Sequence, residues 1–408
     1  MTSLPTLLAR TYERAPRGIK LGLDRVHAAI DRLHHPERNL PVLHITGTNG
    51  KGSVAAISSL ALERAGYKVG LFTSPHLMRF AERIRINQEP IPDNLLARCL
   101  EQALEHDLTF FELTFVASLI AFQEANVDCA VLEVGMGGRL DATNIVESPL
   151  ATAVTRVALD HTSVLGNTLP EVAYEKASIA KPGCPMVIGT MDETARKQVR
   201  RVAIERGASP VEHAEESPWG CIPMNTALRG KHQQDNASVA AALCFHASRH
   251  LNQLTLEHVR DAVANVSWPG RMESINRDGI EYLLDGAHNP DGVEALESHL
   301  RSRGVDPEST ALLFGAMRDK AWDTMLDRLR PIAAHRFFVE PNGRAPVPPE
   351  SLCAVAQGRL CSSVKEALND ASQRVGTGGL VVICGSLFLI AEARSSLLGL
   401  QLDQIVAL

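Results

Sequence analysis

The stretch from Ile45 to Ile57, ITGTNGKGSVAAI, sets three glycines around one lysine between two apolar runs. Glycines let backbone N–H groups approach an anion closely. The lysine adds a point charge, and a helix starting there adds the positive end of its dipole. The flanks fit such a loop: LPVLHI reads as a buried strand and SVAAISSLALERAG as a helix stopped by Gly66. Strand, glycine-rich turn and helix in that order describe a phosphate cradle. The spacing departs from the common nucleotide loop, which has glycine six residues before the lysine and Ser or Thr directly after it. Ile45 and Gly52 stand at those places, and the hydroxyl arrives at Ser53. An ordinary glycine turn is the alternative, but an unusual triphosphate loop accounts for more of the pattern.

At 408 residues the chain exceeds one usual core, which predicts two domains. A net charge of -6 without a long basic run argues against a nucleic-acid partner. The eight cysteines lack paired metal-ligand spacing, and Cys129 and Cys384 fall inside apolar runs. They read as core thiols of a reducing compartment. The opening MTSLPTLLARTYERAP has no signal-peptide core, and no later run is long enough to cross a membrane. A cytoplasmic enzyme with no membrane partner is expected.

Apolar strands alternate with helices, the pattern of α/β layers around mostly parallel sheets. Strands are expected near 41–46, 68–73, 128–134, 150–155 and 185–189, then near 280–285, 310–315, 335–340 and 379–384. The polar, proline-broken stretch 209–225 reads as irregular or as a short β excursion. The Gly/Pro-marked SWPGRMESINRDG predicts a boundary, with a first domain over 1–270, a linker over 271–276 and a second domain over 277–408. EPNGRAPVPPE reads as an exposed loop.

A phosphate loop needs a metal with hard oxygen ligands. In CAVLEVGMGGRLDATN an apolar strand ends at Glu133 before a glycine-rich turn. Carboxyl ends of parallel strands face one crevice, so Glu133 is expected to meet Mg²⁺ held at Ser53. ALDHTSVLG presents Asp160 and His161 after another strand. A histidine there serves structure as readily as chemistry.

TGTNGKGS, TSPHLMRFAERIRIN, LEVGMGGRLDATN, LDHTSVLG, YEKASIAKPG, GKHQQDNA, PGRME, LDGAHNPDG and ICGSLFLIAEAR occur in this order along the chain. Together they resemble folylpolyglutamate synthase/dihydrofolate synthase, within the Mur ligase superfamily. The resemblance implies a P-loop-type ATPase domain with a mostly parallel sheet, followed by a smaller Rossmann-like α/β domain. It implies ATP-dependent addition of L-glutamate to dihydropteroate and to tetrahydrofolate polyglutamates through an acyl phosphate, in a monomer. By this likeness Asn49, Gly50, Lys51, Gly52 and Ser53 hold the phosphates, and Ser53 and Glu133 hold one Mg²⁺. His161 joins Glu133 at a second ion. Lys176 of YEKASIAKPG falls where the family often carries a carbamylated lysine, although alone it reads as a solvated charge. Carbamylation would make it an anionic oxygen ligand. A monovalent cation is left open.

On the substrate side, GIKLGLDRV and LTFFELTF resemble the family's pterin pocket and nominate Leu23, Thr109, Phe111, Asp141 and Ala142, with Ser74 and His76 of TSPHL. Phe111 serves equally well as core. Gln233 and Asn236 would address adenine, and Arg271 the ATP phosphates and glutamate. Asp285, His288 and Ser386 match positions used around ribose and incoming glutamate. The resemblance puts this site between the two domains. A monofunctional folylpolyglutamate synthase is an alternative. A cell-wall Mur ligase is another, set back by the roughly forty residues ahead of the loop, too few for a further domain. A nucleotide-dependent switch lacks the standard loop spacing, and a helicase lacks a basic channel.

Overall fold

The computed structural model describes residues 2–15, 22–343 and 345–403. Residues 18–21 of GIKLGLDRV and Arg344 of EPNGRAPVPPE therefore lie outside the described residues. The chain divides into two compact units: one up to His76 with Phe80–Ala227 and Gln233–Ser267, the other Leu77–Arg79, Leu228–His232 and everything from Trp268.

The first unit is built on an eight-stranded sheet. Its strands are β1 (Val42–Thr46), β2 (Val69–Phe72), β3 (Ile84–Ile86), β4 (Glu89–Pro90), β5 (Cys129–Glu133), β6 (Ala151–Val154), β7 (Met186–Ile188) and β8 (Val211–His213). Their order is β4-β3-β2-β5-β1-β6-β7-β8, parallel from β2 to β8, with β3 and β4 joined antiparallel at one edge. β1 is buried at every residue between β5 and β6, which explains its unbroken apolar reading. Helix Lys51–Arg64 is buried from Gly52 to Leu62, so its sequence shows no polar face. It ends as the sequence predicts: Gly66 adopts φ 90° and its N–H bonds to Glu63 O at 2.8 Å.

The second unit holds a six-stranded sheet, with β9 (Glu273–Arg277), β10 (Ile280–Leu284), β11 (Thr310–Phe314), β12 (His335–Phe338), β13 (Arg359–Leu360) and β14 (Leu380–Cys384) in the order β13-β12-β11-β14-β10-β9. Alternate residues feed two cores: Leu283, Leu312, Phe338 and Val382 one, Leu284, Leu313, Phe337 and Val381 the other. A sheet covered on both faces is the Rossmann-like layering expected.

Three expectations are corrected. Residues 271–276 are no linker, because β9 occupies 273–277 and pairs antiparallel with β10. The Asp-Gly at the end of that stretch is a hairpin turn, Asp278 and Gly279 both having positive φ. The eight thiols are all unpaired, but Cys221 is exposed and Cys353 half-buried, so they are not uniformly core. The EPNGRAPVPPE segment is anchored, since Val347 is buried and its N–H bonds to Ala316 O at 2.9 Å. Among the described residues no helix is long and apolar enough to cross a membrane.

Helix Phe110–Ala125 packs on the first sheet because Gly70 of β2 leaves room for the buried Phe122 ring. A Cβ at Gly70 would lie 2.7 Å from two ring carbons. Gly70→Ala should therefore destabilise the chain by about 1–3 kcal/mol through overpacking. A urea midpoint equal to wild type would show that the ring moves aside freely.

Candidate active site

β1 delivers the chain into the turn Gly47–Gly50, from which helix Lys51–Arg64 departs. Gly50 is the helix N-cap at φ 92°, and a Cβ there would overlap Asn236 Oδ1. A glycine cap has no side chain to bond the first helical N–H groups, and a helix N-terminus favours an anion.

Two lysines converge on this turn. Lys51 Nζ donates to Gly47 O at 3.0 Å and to Thr48 O at 3.1 Å, and Lys176 Nζ donates to the same Gly47 O at 3.0 Å. Lys176 is 4% exposed, which overturns its reading as a solvated charge. Helix Leu169–Ala177 turns Tyr174 outward and Lys176 inward. Burial, and then the Lys51 charge, lower the Lys176 ammonium from its usual range to about 7, while Asp160 and Asp141 oppose the shift.

Glu133 ends β5 in register with Ile45 of β1, two residues before Gly47 opens the turn. It is buried, and its Oε2 accepts the Ser74 N–H at 3.2 Å. Ser53 is buried in the first turn of the helix. Hydroxyl and carboxylate oxygens flanking one loop form a donor set suited to a hard cation such as Mg²⁺. The turn after Glu133 is tied on both sides: Thr46 Oγ1 donates to Gly137 O at 2.7 Å, and Arg139 N to Glu175 O at 3.0 Å. These bonds bring together the end of β1, the strand carrying Glu133 and the helix carrying Lys176. His161 is exposed, with φ 50°, and its N–H is held by Asp160 Oδ1 at 2.8 Å.

The pterin candidates divide by what their polar atoms do. Thr109 caps helix Phe110–Ala125 in a capping box with Glu112, so its hydroxyl has a structural task. Asp141 is buried and accepts from Thr143 Oγ1 at 2.6 Å, Thr143 N at 3.0 Å and Met136 N at 3.0 Å, bracing the glycine-rich turn. Ala142 is buried in the short helical turn that Asp141 caps. Phe111 is half-buried, 5.7 Å from the Phe72 ring and tight against Gly135, so one ring both packs and faces outward. Leu23 is half-buried at the start of helix Asp24–Arg32.

His76 is buried, and its Nδ1 accepts from Arg83 Nε at 2.8 Å, which leaves its proton on Nε2. Arg83 is 2% exposed, 5.1 Å from the Phe110 ring and 5.8 Å from the Phe80 ring. Sequence reading missed it, because RIRIN looks like an alternating strand with solvated arginines. It also missed Arg25, which grips Glu112 at 2.6 and 3.1 Å.

Of the adenine candidates, Asn236 Nδ2 donates to Gln233 Oε1 at 3.0 Å, and both are buried. In the second unit Asp285, His288 and Ser386 gather at the carboxyl ends of β10 and β14, where Gly385 N bonds to Ala287 O at 2.9 Å. Asp285 accepts from Met272 N and Ala287 N, each at 2.9 Å, and retains further lone pairs. His288 Nδ1 donates to Gly286 O at 2.7 Å, which orients the ring. Arg271 lies against Gly286, and Ser386 caps helix Leu387–Leu398.

Residues 45–244 match the Mur ligase middle domain and residues 270–387 the Mur ligase glutamate ligase domain. The dihydrofolate synthase/folylpolyglutamate synthase of Bacillus subtilis (strain 168) is 32% identical, over 95% of this chain and 97% of that one. The folylpolyglutamate synthase of Lacticaseibacillus casei is 34% identical, over 94% and 96%. Escherichia coli FolC, solved in complex with DHPP and ADP, superposes with a TM-score of 0.86 at 28% identity, covering 98% of both chains.

The lowered Lys176 sets a pH dependence. Between about 7 and the ordinary lysine value of 10.5 the unfolded chain binds the proton that the folded chain releases, so stability rises with pH across this window. Lys176→Met removes the buried charge. In buffer stripped of carbon dioxide its thermal midpoint should exceed wild type at pH 6, with the gap shrinking towards pH 9. A gap independent of pH would mean that Lys176 is not held against its charge.

Proposed function

The chain belongs to the folylpolyglutamate synthase/dihydrofolate synthase family of Mur ligases, and from that premise we propose that it joins L-glutamate to dihydropteroate and to tetrahydrofolate polyglutamates at the expense of ATP. The observation that carries this reading is the pair of lysine amines on Gly47 O, beside the strand end that bears Glu133.

A carboxylate is a poor electrophile at neutral pH. The γ-phosphoryl group passes from ATP to a carboxylate oxygen of the pterin substrate, leaving ADP and an acyl phosphate. The glutamate amine attacks the acyl carbon; the C–N bond forms, the bond to phosphate oxygen breaks, and the amine proton leaves to solvent. Catalysis is then mostly positioning and neutralisation of charge. Lys51 and the N-terminal end of its helix hold the phosphates, with Asn49, Gly50, Gly52 and Ser53. Asn236, packed against Gly50, and Gln233, which accepts its amide proton, take the adenine.

Ser53 and Glu133 would hold one Mg²⁺, and Glu133 with His161 a second, which together offset the repulsion between ATP and the acceptor carboxylate. With its amine lowered to about 7, Lys176 is substantially neutral at physiological pH, the form that adds carbon dioxide. The carbamate would give the second ion an anionic oxygen in a pocket where an ammonium is disfavoured. Phe111, Leu23 and Ala142 cover the pterin, Ser74 and His76 offer it polar contacts, and Thr109 and Asp141 set the turns around it. In the second unit Arg271 and Asp285 serve ATP, and Arg271, His288 and Ser386 receive glutamate. Function as a monomer is part of the proposal, as is a cytoplasmic setting, which the eight free thiols support.

ADP release with L-glutamate and either dihydropteroate or tetrahydrofolate tests the reading. Glutamate-dependent release is expected with both. Release with tetrahydrofolate alone would leave a monofunctional folylpolyglutamate synthase, and release with neither would end the assignment. Stripping carbon dioxide should slow the reaction and bicarbonate restore it, while an unchanged rate would remove the carbamate. Varying potassium at fixed ionic strength tests for a monovalent cation.

A further inference from the structure

Beyond the ends of β1 and β6 the two chains stay joined. Thr155 N bonds to Thr46 O at 2.8 Å and Thr48 N to Arg156 O at 2.6 Å, so the phosphate turn and the segment 155–158 advance as a pair. Two hydroxyls lock the pair. Thr155 Oγ1 donates to Asn49 O at 2.7 Å. Thr48 Oγ1 donates to Ala158 O at 2.9 Å and accepts the Ala158 N–H at 3.1 Å, so one side chain satisfies both polar groups of Ala158. Three residues later the same segment presents His161, its N–H fixed by Asp160.

Thr155 is 2% exposed, and Gly47 is closed over it so tightly that a Cβ at Gly47 would overlap Thr155 Oγ1. Sheet pairing alone needs neither hydroxyl. Valine has the same β-branched shape and would fill both places without these bonds. The hydroxyls act where the sheet has ended and the phosphate turn has begun.

We propose that Thr48 and Thr155 are positioning residues which hold the phosphate turn and the His161 segment at one fixed spacing, so that bound nucleotide and the second metal ion meet in register. This rests on the reading of the turn as the ATP site and of His161 as a metal ligand. Neither threonine touches a reacting atom; each acts through the backbone, Thr155 on Asn49 and Thr48 on Ala158. Because the staple joins the two elements, loosening it weakens metal binding in the nucleotide complex more than it weakens nucleotide binding alone.

The test measures Mn²⁺ binding by electron paramagnetic resonance in the presence of a non-hydrolysable ATP analogue, with metal-free binding of the analogue followed by calorimetry. Thr48→Val should weaken Mn²⁺ about tenfold, the low end of what loss of an outer-sphere support costs, and change metal-free analogue binding less. Thr48→Ser, which restores the hydroxyl, should recover wild-type Mn²⁺ binding. Thr155→Val and Thr155→Ser repeat the comparison at the second hydroxyl, so a Thr48→Val chain that fails to fold does not remove the test.

A folded Thr48→Val or Thr155→Val chain that binds Mn²⁺ as wild type overturns the proposal, whatever its melting temperature. So does weak Mn²⁺ binding that serine does not rescue. His161→Ala separates the two levels. If it too binds Mn²⁺ as wild type, the metal reading fails and the proposal with it; if it binds weakly while the valine variants do not, only the positioning role fails.

Discussion

One backbone oxygen organises this protein. The Gly47 carbonyl accepts from Lys51 and from Lys176, two lysine amines drawn from separate helices into one place. Each charge disfavours the other, and burial adds to this at Lys176, which is why its amine is lowered to about 7. In the proposed function this turn receives a triphosphate with its cations. Much of the first unit serves this geometry. β1 is buried on both sides so that the turn starts from a fixed strand end, Thr46 ties it to the glycine-rich turn after Glu133, and that turn docks on the Lys176 helix.

The strand, glycine turn and helix around Lys51 were legible in the sequence because their signals are local. Glycine spacing, a lysine and an apolar strand before them are written in consecutive residues, and the helix end at Gly66 follows the same logic. The central strands were legible because burial on both faces makes them continuously apolar. β3, β4 and β13 are two or three residues long at sheet edges, too short for an alternation to stand out. β9 was hidden by its own hairpin: Asp278-Gly279 is equally the signature of a linker and of a tight turn, and only pairing with β10 decides between them.

The site itself was only partly legible. Lys176 looks like any surface lysine after a glutamate, since helical phase alone does not say which face a three-turn helix buries. Thr109 and Asp141 were read as substrate residues, yet both close local hydrogen-bond loops, tasks that Thr and Asp perform at helix starts throughout proteins. Arg83 escaped because a buried arginine under aromatic rings has no sequence mark of its own. Its partner His76 was found only through the TSPHL resemblance.

The central claim is that the Gly47–Gly50 turn binds the phosphates of ATP through the charge on Lys51. Calorimetric titration of a non-hydrolysable ATP analogue into wild type and Lys51→Ala tests it most directly, with folding checked by circular dichroism. The account predicts an affinity lower by about thirtyfold or more, as expected when a cation is removed from a buried charged contact. Thermal stability should stay near wild type or rise slightly, because the substitution takes a positive charge away from the buried Lys176. An unchanged affinity in a folded Lys51→Ala chain would contradict the account.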